Sequence, residues 1–301
     1  MTMHLVVNPI AGRGRGLACL ERVVRGLEQA GLSVSVHRTE RPRHATELVS
    51  QFSDGALPVA VGGDGTIHEV AIACLQRGFT MGFLPTGSGD DFAFALGADR
   101  FDVDAAIRTL AEGRSRPVDV GVVNREPFVN GFGSGFDADV ARRIAHAPRL
   151  YRGLGRYLYG IATAMRDFAV REVQVEVDGR EVHAGPGLIV GAQNGPRAGG
   201  SFLFTPAART DDGLLDVVVA GRFGRAATLA LLPRLMRATH LNHPHIHFFR
   251  AHEVRVRWSS PVVAHVDGEN LGDQDKHEDF AVCLRPAALQ VLAPPAAASS
   301  H

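Results

Sequence analysis

Gly62-Gly63-Asp64-Gly65-Thr66 stands where a β-branched run, Pro58 to Val61, gives way to a helical pattern. Glycines let a backbone approach a phosphate closely, a carboxylate such as Asp64 can reach a magnesium ion or a ribose hydroxyl, and Thr66 can donate a hydrogen bond. A bare helix start needs one capping residue, so five such residues in this order point to ligand binding. Two more glycine loops follow strand-like runs. Asn8-Pro9-Ile10-Ala11-Gly12-Arg13-Gly14-Arg15-Gly16 opens a helix whose first amides can receive phosphate. It is no dinucleotide fingerprint, since Leu17 or Cys19 occupies the third glycine position, and both a structural turn and a phosphate loop fit it. Leu84-Pro85-Thr86-Gly87-Ser88-Gly89-Asp90-Asp91-Phe92-Ala93 forms the third. Loops at successive strand ends of an open α/β sheet face one crevice, where such sheets hold ligands.

Lys276 is the only lysine and lies in the polar run Asp273 to Asp279, which argues against a Walker A loop and against Schiff-base chemistry. The composition, 45% hydrophobic and 21% charged, is that of a soluble globular chain with a sizeable core. Its 32 basic and 32 acidic residues sum to zero, so no nucleic acid is expected as a partner. Cys19, Cys74 and Cys283 form neither a disulfide framework nor a thiolate zinc site, and no apolar run reaches the ~20 residues of a membrane span. A cytoplasmic protein is expected, with peripheral contact at the inner membrane face left open, as is a homodimer. Neutrality hides one contrast. Between Val140 and Arg166 stand Arg142, Arg143, Arg149, Arg152, Arg156 and Arg166, no acid, and the tyrosines Tyr151, Tyr157 and Tyr159. That suits a bilayer interface, and equally a solvated helix face or an interdomain contact. His240, His243, His245 and His247 read as a surface run rather than a metal cluster, and the stretch Ala226 to Met236 as core rather than a membrane hook.

The elements that would position these groups change character along the chain. Leu5 to Asn8, Ser33 to Arg38, Pro58 to Val61 and Met81 to Leu84 read as strands separated by helical patterns, which predicts βαβ units and a parallel sheet. After a helical stretch between Ala138 and Phe168, strand-like runs dominate: Glu172 to Asp178, Leu188 to Ala192, Leu214 to Ala220, Glu253 to Trp258 and Val262 to Asp267. The alternation of Val173, Val175 and Val177 predicts half-buried antiparallel strands. The expectation is an α/β domain over residues 1–125, a β-rich domain over 126–292 and a disordered Pro/Ala/Ser tail over 293–301.

Together these residues resemble the diacylglycerol kinase catalytic family, which includes bacterial lipid kinases and sphingosine kinases and shares its GGDGT loop with NAD kinases. The resemblance runs from Asn8-Pro9 through Thr39, Gly62 to Val70 and Pro85 to Phe92, then Thr205-Pro206, Asp211-Asp212-Gly213-Leu214-Leu215-Asp216 and Asp267-Gly268-Glu269. It implies a Rossmann-like first domain, a β-sandwich second domain and a kinase that binds ATP and Mg2+ and phosphorylates a lipid alcohol. By the resemblance, Asn8, Pro9, Ile10, Ala11, Gly12, Thr39, Gly62, Gly63, Asp64, Gly65, Thr66, Ile67, His68 and Ser88 contact the nucleotide. Asp64 and Glu269 carry catalysis, Glu269 as proton acceptor. Asp212 is the side-chain ligand of a magnesium site completed by the carbonyls of Arg209 and Leu214. Where the family has GTGN, this chain has Gly87-Ser88-Gly89-Asp90. Two unit charges ~5 Å apart at an effective dielectric near 20 repel by roughly 3 kcal/mol, so Asp90 calls for a metal or an arginine beside it. NAD kinase is the competing enzyme reading, and a nucleotide-binding module without catalysis the non-enzymatic one.

Overall fold

The computed structural model describes residues 2–98, 102–148, 150–151, 154–271 and 277–295. Arg149, Arg152, Lys276 and positions 296–301 of the expected tail lie outside the described residues. Contacts divide the chain into two units, one reaching to Val120 and resuming at Pro286, the other Gly121–Arg285.

The first unit runs β1 (Thr2–Val7), α1 (Arg15–Gln29), β2 (Ser33–Arg38), α2 (His44–Ser50), β3 (Leu57–Gly62), α3 (Asp64–Arg77), β4 (Gly82–Pro85), α4 (Asp91–Ala95), α5 (Val103–Glu112) and β5 (Ser115–Val123), the strand within which the chain leaves the unit. Strands β2, β1, β3 and β4 form, in that order, a parallel sheet. Met3, Leu5 and Val7 put alternate residues of β1 against Cys19, Leu20, Val23 and Leu27 of α1, the period-2 and period-3.6 patterns meeting in one core. A parallel sheet sends every strand the same way, so the loops after β1, β3 and β4 emerge at one edge.

The second unit continues with β6 (Glu126–Phe128), β7 (Gly131–Gly135), α6 (Phe136–Ala145), α7 (Leu154–Ala164), β8 (Arg171–Val177), β9 (Arg180–Gly187), β10 (Ile189–Gln193), β11 (Leu215–Ala220), α8 (Arg225–Met236), β12 (Ile246–Ala251), β13 (Glu253–Val262), β14 (Ala264–Val266), β15 (Glu269–Asn270) and β16 (His277–Leu292). One sheet has the order β12-β11-β10-β7-β14-β15, the other β6-β5-β16-β13-β8-β9. Phe132, Val190 and Val217 of the first sheet share a core with Val175, Val256 and Phe280 of the second, which makes a β-sandwich. On the outer face of the first sheet Val218 and Ala220 pack with Phe223, Leu231 and Ile246.

Three expectations need correction. His240, read as part of a surface run, is buried, its ring Nε2 2.8 Å from the Phe204 carbonyl. The stretch Ala226 to Met236 does form a helix, α8, but only Thr228 and Leu231 of it are buried. The basic segment is not free of acid in space. Arg142 and Arg143 pair with Asp139 (2.6 and 2.9 Å), Arg143 also with Asp167 (2.6 Å), and Arg156 donates to the Ile144 carbonyl (2.7 Å). The neutralising carboxylates lie one residue outside each end of the arginine-rich run.

Candidate functional site: tied glycine loops and two acidic turns

In the first unit the three glycine loops are bonded to one another. Asn8 donates its N–H to the Val61 carbonyl (3.0 Å) and its Nδ2 to Thr66 Oγ1 (3.1 Å), tying the first loop to the second. Thr86 N–H donates to the Gly62 carbonyl (2.8 Å), tying the third to the second. Arg15 closes the ring. Its Nε donates to Gly12 O and its Nη2 to Thr86 O, both at 3.0 Å, and to Gly87 O. Glycine is required at the closest approaches: a Cβ on Gly12, which sits at φ +54°, would lie 1.6 Å from Thr86 O, and one on Gly87 2.6 Å from the Cα of Gly63.

Asp64 begins α3, and its carboxylate is spent on the third loop. Oδ2 accepts from Asp90 N–H at 2.7 Å and Oδ1 from Asp91 N–H at 2.6 Å. Desolvation, then the neighbouring charges of Asp91 and Asp90, push its carboxyl up to about 7 against those two donors. Asp90 takes a left-handed turn (φ 55°) that lets its Oδ1 accept from Gly87 N–H at 2.9 Å. The Arg15 guanidinium reaches the same loop, donating to the Gly87 carbonyl. Thr39, just past β2, donates its N–H to Val7 O (2.9 Å). Ile10 is 83% exposed and Ser88 is exposed, while His68 is half-buried on α3. Glu69 has a structural task, accepting the N–H groups of Arg43 (2.8 Å) and Ala45 (2.9 Å) at the start of α2. The first N–H groups of α3 have no acceptor within the helix, and a helix start flanked by glycine backbone is able to receive an anion such as phosphate.

In the second unit Glu269 is exposed on β15, paired with Val266 of β14. The turn between them is held by Asp267, at φ 51°, whose Oδ1 accepts from the N–H groups of Asn130 (2.8 Å) and Gly131 (2.9 Å) and whose Oδ2 accepts from that of Val129 (2.9 Å). Gly268 N–H donates to His265 Nδ1 at 3.3 Å, which leaves the ring hydrogen on Nε2, 3.5 Å from Asp137 Oδ2. Arg209, Asp212 and Leu214 lie in the turn before β11. Asp212 Oδ1 accepts from Leu214 N–H (3.2 Å) and Oδ2 from Arg250, whose Nε is 3.9 Å from Asp216. Two carboxylates thus share one guanidinium, and Thr210 Oγ1 and Asp216 Oδ2 are buried with no hydrogen-bond partner among the described residues. Desolvation first, opposed by Arg250, pushes Asp216 up to about 6. Both Asp212 oxygens are thus engaged, and among the described residues no group of three or more histidine, cysteine, aspartate or glutamate side chains is placed to hold a metal ion.

The "Diacylglycerol kinase catalytic domain" family matches residues 2–123, and the "YegS C-terminal NAD kinase beta sandwich-like domain" family matches 131–293. The chain is 30% identical over 274 residues to "Diacylglycerol kinase" of Bacillus subtilis (strain 168), covering 89% of this chain and 90% of that one. The chain belongs to the diacylglycerol kinase family. It is 31% identical over 301 residues to a Klebsiella pneumoniae (strain 342) protein named "Probable lipid kinase YegS-like", covering 97% and 95%. A diacylglycerol kinase structure from Bacillus anthracis str. Sterne shares the fold of this kinase with a TM-score of 0.76 at 22% identity, over 99% of this chain and 98% of that one. An NAD kinase structure from Archaeoglobus fulgidus in complex with ATP matches with a TM-score of 0.53 at 15% identity, over 94% and 90%.

The structure gathers Asn8, Gly12, Gly62, Gly63, Asp64 and Thr66 of this kinase into the tied loops, and places Glu269 and the Arg209–Leu214 turn in the second unit. Spacing did not reveal the roles of Arg15, Asp90, Arg250 or the Asp137–His265 pair. Arg15 stood inside a motif already singled out, but only its reach to Thr86 and Gly87, far along the chain, shows what it holds.

Proposed function

We propose that this kinase transfers the γ-phosphate of ATP to the hydroxyl of a lipid alcohol, with diacylglycerol as the default acceptor and a sphingoid base as the nearest alternative. The observation that carries the reading is the Asp267 clamp: three backbone amides hold the turn that presents the exposed carboxylate of Glu269. Glu269 takes the proton of the acceptor hydroxyl, a contribution typically worth about 10²- to 10⁴-fold. Asn8 to Gly12, Thr39, Gly62 to His68 and Ser88 bind the nucleotide. Loop amides and Arg15 supply the positive field that a phosphate lysine supplies elsewhere.

Asp212, with the carbonyls of Arg209 and Leu214, holds Mg2+ in the second unit, and Asp216 adds charge beside it. When bound, that ion neutralises the acidic turn and stiffens it. Bilayer-borne acceptors imply peripheral contact with a membrane.

The test is a transfer assay with labelled ATP against a panel of lipid alcohols and NAD. Phosphorylation of a lipid alcohol by the parent is expected, with loss of at least about 100-fold in Glu269→Gln and unchanged ATP affinity. Near-parental turnover in that variant would remove Glu269 as the base, and phosphorylation of NAD alone would replace the acceptor.

A further inference from the structure

Helix α8 is inverted relative to an ordinary surface helix. On α1 the exposed Glu21, Arg22, Arg25, Glu28 and Gln29 make the polar face expected toward water, and the exposed apolar residues, Leu17 and Ala18, are confined to its first turn. On α8, at 3.6 residues per turn, Ala226, Leu229, Ala230, Pro233 and Met236 fall on one stripe, and each is exposed, Leu229 by 46% and Met236 by 45%. The opposite side, Thr228 and Leu231, is the buried one, Leu231 packing on Val218, Phe223 and Ile246. The helix is therefore apolar toward both the sheet and solvent.

Charge frames that outward stripe. From Val217 to His252 the chain contains no aspartate or glutamate, and it contains Arg222, Arg225, Arg234, Arg237 and Arg250. Arg250 is engaged by Asp212. Arg222, Arg225, Arg234 and Arg237 are exposed, and none of them pairs with a carboxylate among the described residues. This contrasts with Arg142 and Arg143, which are neutralised by Asp139 and Asp167.

An apolar stripe flanked by unpaired arginines matches an anionic bilayer surface, where apolar side chains enter the headgroup boundary and arginines meet lipid phosphates. It matches a second copy of α8 poorly, because a two-fold contact would set arginine against arginine with no acid in the segment to separate them. We propose that α8 is the element by which this kinase docks on an anionic membrane, its outward stripe inserted and Arg225, Arg234 and Arg237 against the headgroups. This rests on the lipid-alcohol reading, since such an acceptor must be collected from a bilayer.

The test uses the full chain with phosphatidylcholine vesicles, plain or containing about 30% phosphatidylglycerol. Co-sedimentation without ATP or acceptor is expected with the anionic vesicles and is expected to weaken with salt. Each arginine at such a surface is worth about fivefold in binding, so Arg225→Gln/Arg234→Gln/Arg237→Gln together are expected to lose about 100-fold. Leu229→Ser/Met236→Ser is expected to lose binding while its far-UV circular dichroism stays parental, because both side chains are exposed. Both variants are expected to phosphorylate detergent-dispersed acceptor at the parental rate. Parental vesicle binding by the arginine variant overturns the proposal, as does light scattering that shows a parental dimer split by Leu229→Ser/Met236→Ser. Intact vesicle binding without phosphorylation of any lipid alcohol would instead overturn the acceptor assignment and leave the docking helix standing.

Discussion

Asp64 and Asp267 do the same job in the two units, each spending a carboxylate on backbone amides, yet their partners lie at very different distances along the chain. Asp64 reaches 26 and 27 residues to Asp90 and Asp91. Asp267 reaches 136 to 138 residues, to Gly131, Asn130 and Val129. The parallel sheet explains the first case: β1, β3 and β4 end at one edge, so their loops are neighbours already and the carboxylate only fastens them. In the antiparallel sheet of the second unit, successive strands point opposite ways and no edge gathers the functional turns. The position of Glu269 has to be imposed by a clamp that crosses the sequence.

If that contrast holds, breaking each clamp harms a different step. Asp64→Ala leaves the amides of Asp90 and Asp91 without acceptors, at about 1–3 kcal/mol each, so Mg-ATP affinity by calorimetry is expected to fall by about 100-fold or more. Parental affinity would show that the third loop needs no fastening. Asp267→Ala frees three amides but leaves the glycine loops alone. Displacing a reacting group by about 1 Å costs on the order of 10²-fold. The expected result is therefore a kcat lowered by about that factor at unchanged ATP affinity, and a loss of nucleotide binding instead would erase the distinction between the units. Arg15→Lys keeps the charge but cannot serve the carbonyls of Gly12, Thr86 and Gly87 together, and roughly tenfold weaker ATP binding is expected in a fluorescence titration.

The smallest effect concerns pH. The folded-state value of Asp64, about 7, lies above its ordinary 3.8, so folding opposes its ionisation. Its contribution to stability is lost as pH rises from about 4 to about 7 and is constant above. Thermal melts of Asp64→Asn against the parent are expected to shift in favour of the variant across that window, and a constant difference would remove the charge repulsion from Asp91 and Asp90.

Legibility in the sequence followed the same divide. Short β-branched runs separated by helical patterns announced β1 to β4, with β2 matched at both ends, Ser33 and Arg38. The long strand β16 carried no comparable signal, because Pro286, Ala287 and Ala288 interrupt its alternation. The exposed stripe of α8 was hidden for a related reason: an apolar residue reads the same whether a sheet or solvent faces it. The acid-free look of residues 140–166 dissolved once Asp139 and Asp167, just beyond its ends, folded back on Arg142 and Arg143.

By itself the sequence determined the chemistry on offer and the fold class. Glycines where a phosphate must be approached, a single lysine outside the three glycine loops, and the change from βαβ units to strand-like runs are local properties, and local spacing carries them. Tertiary structure decided which of these groups are spent on the fold and which are left exposed. Asp64, Asp267 and Arg15 are held by backbone atoms far along the chain, while Glu269 and the outward stripe of α8 are left exposed. That allocation depends on which strands become neighbours, a consequence of burying two sheets and a helix layer together that no single stretch of residues contains.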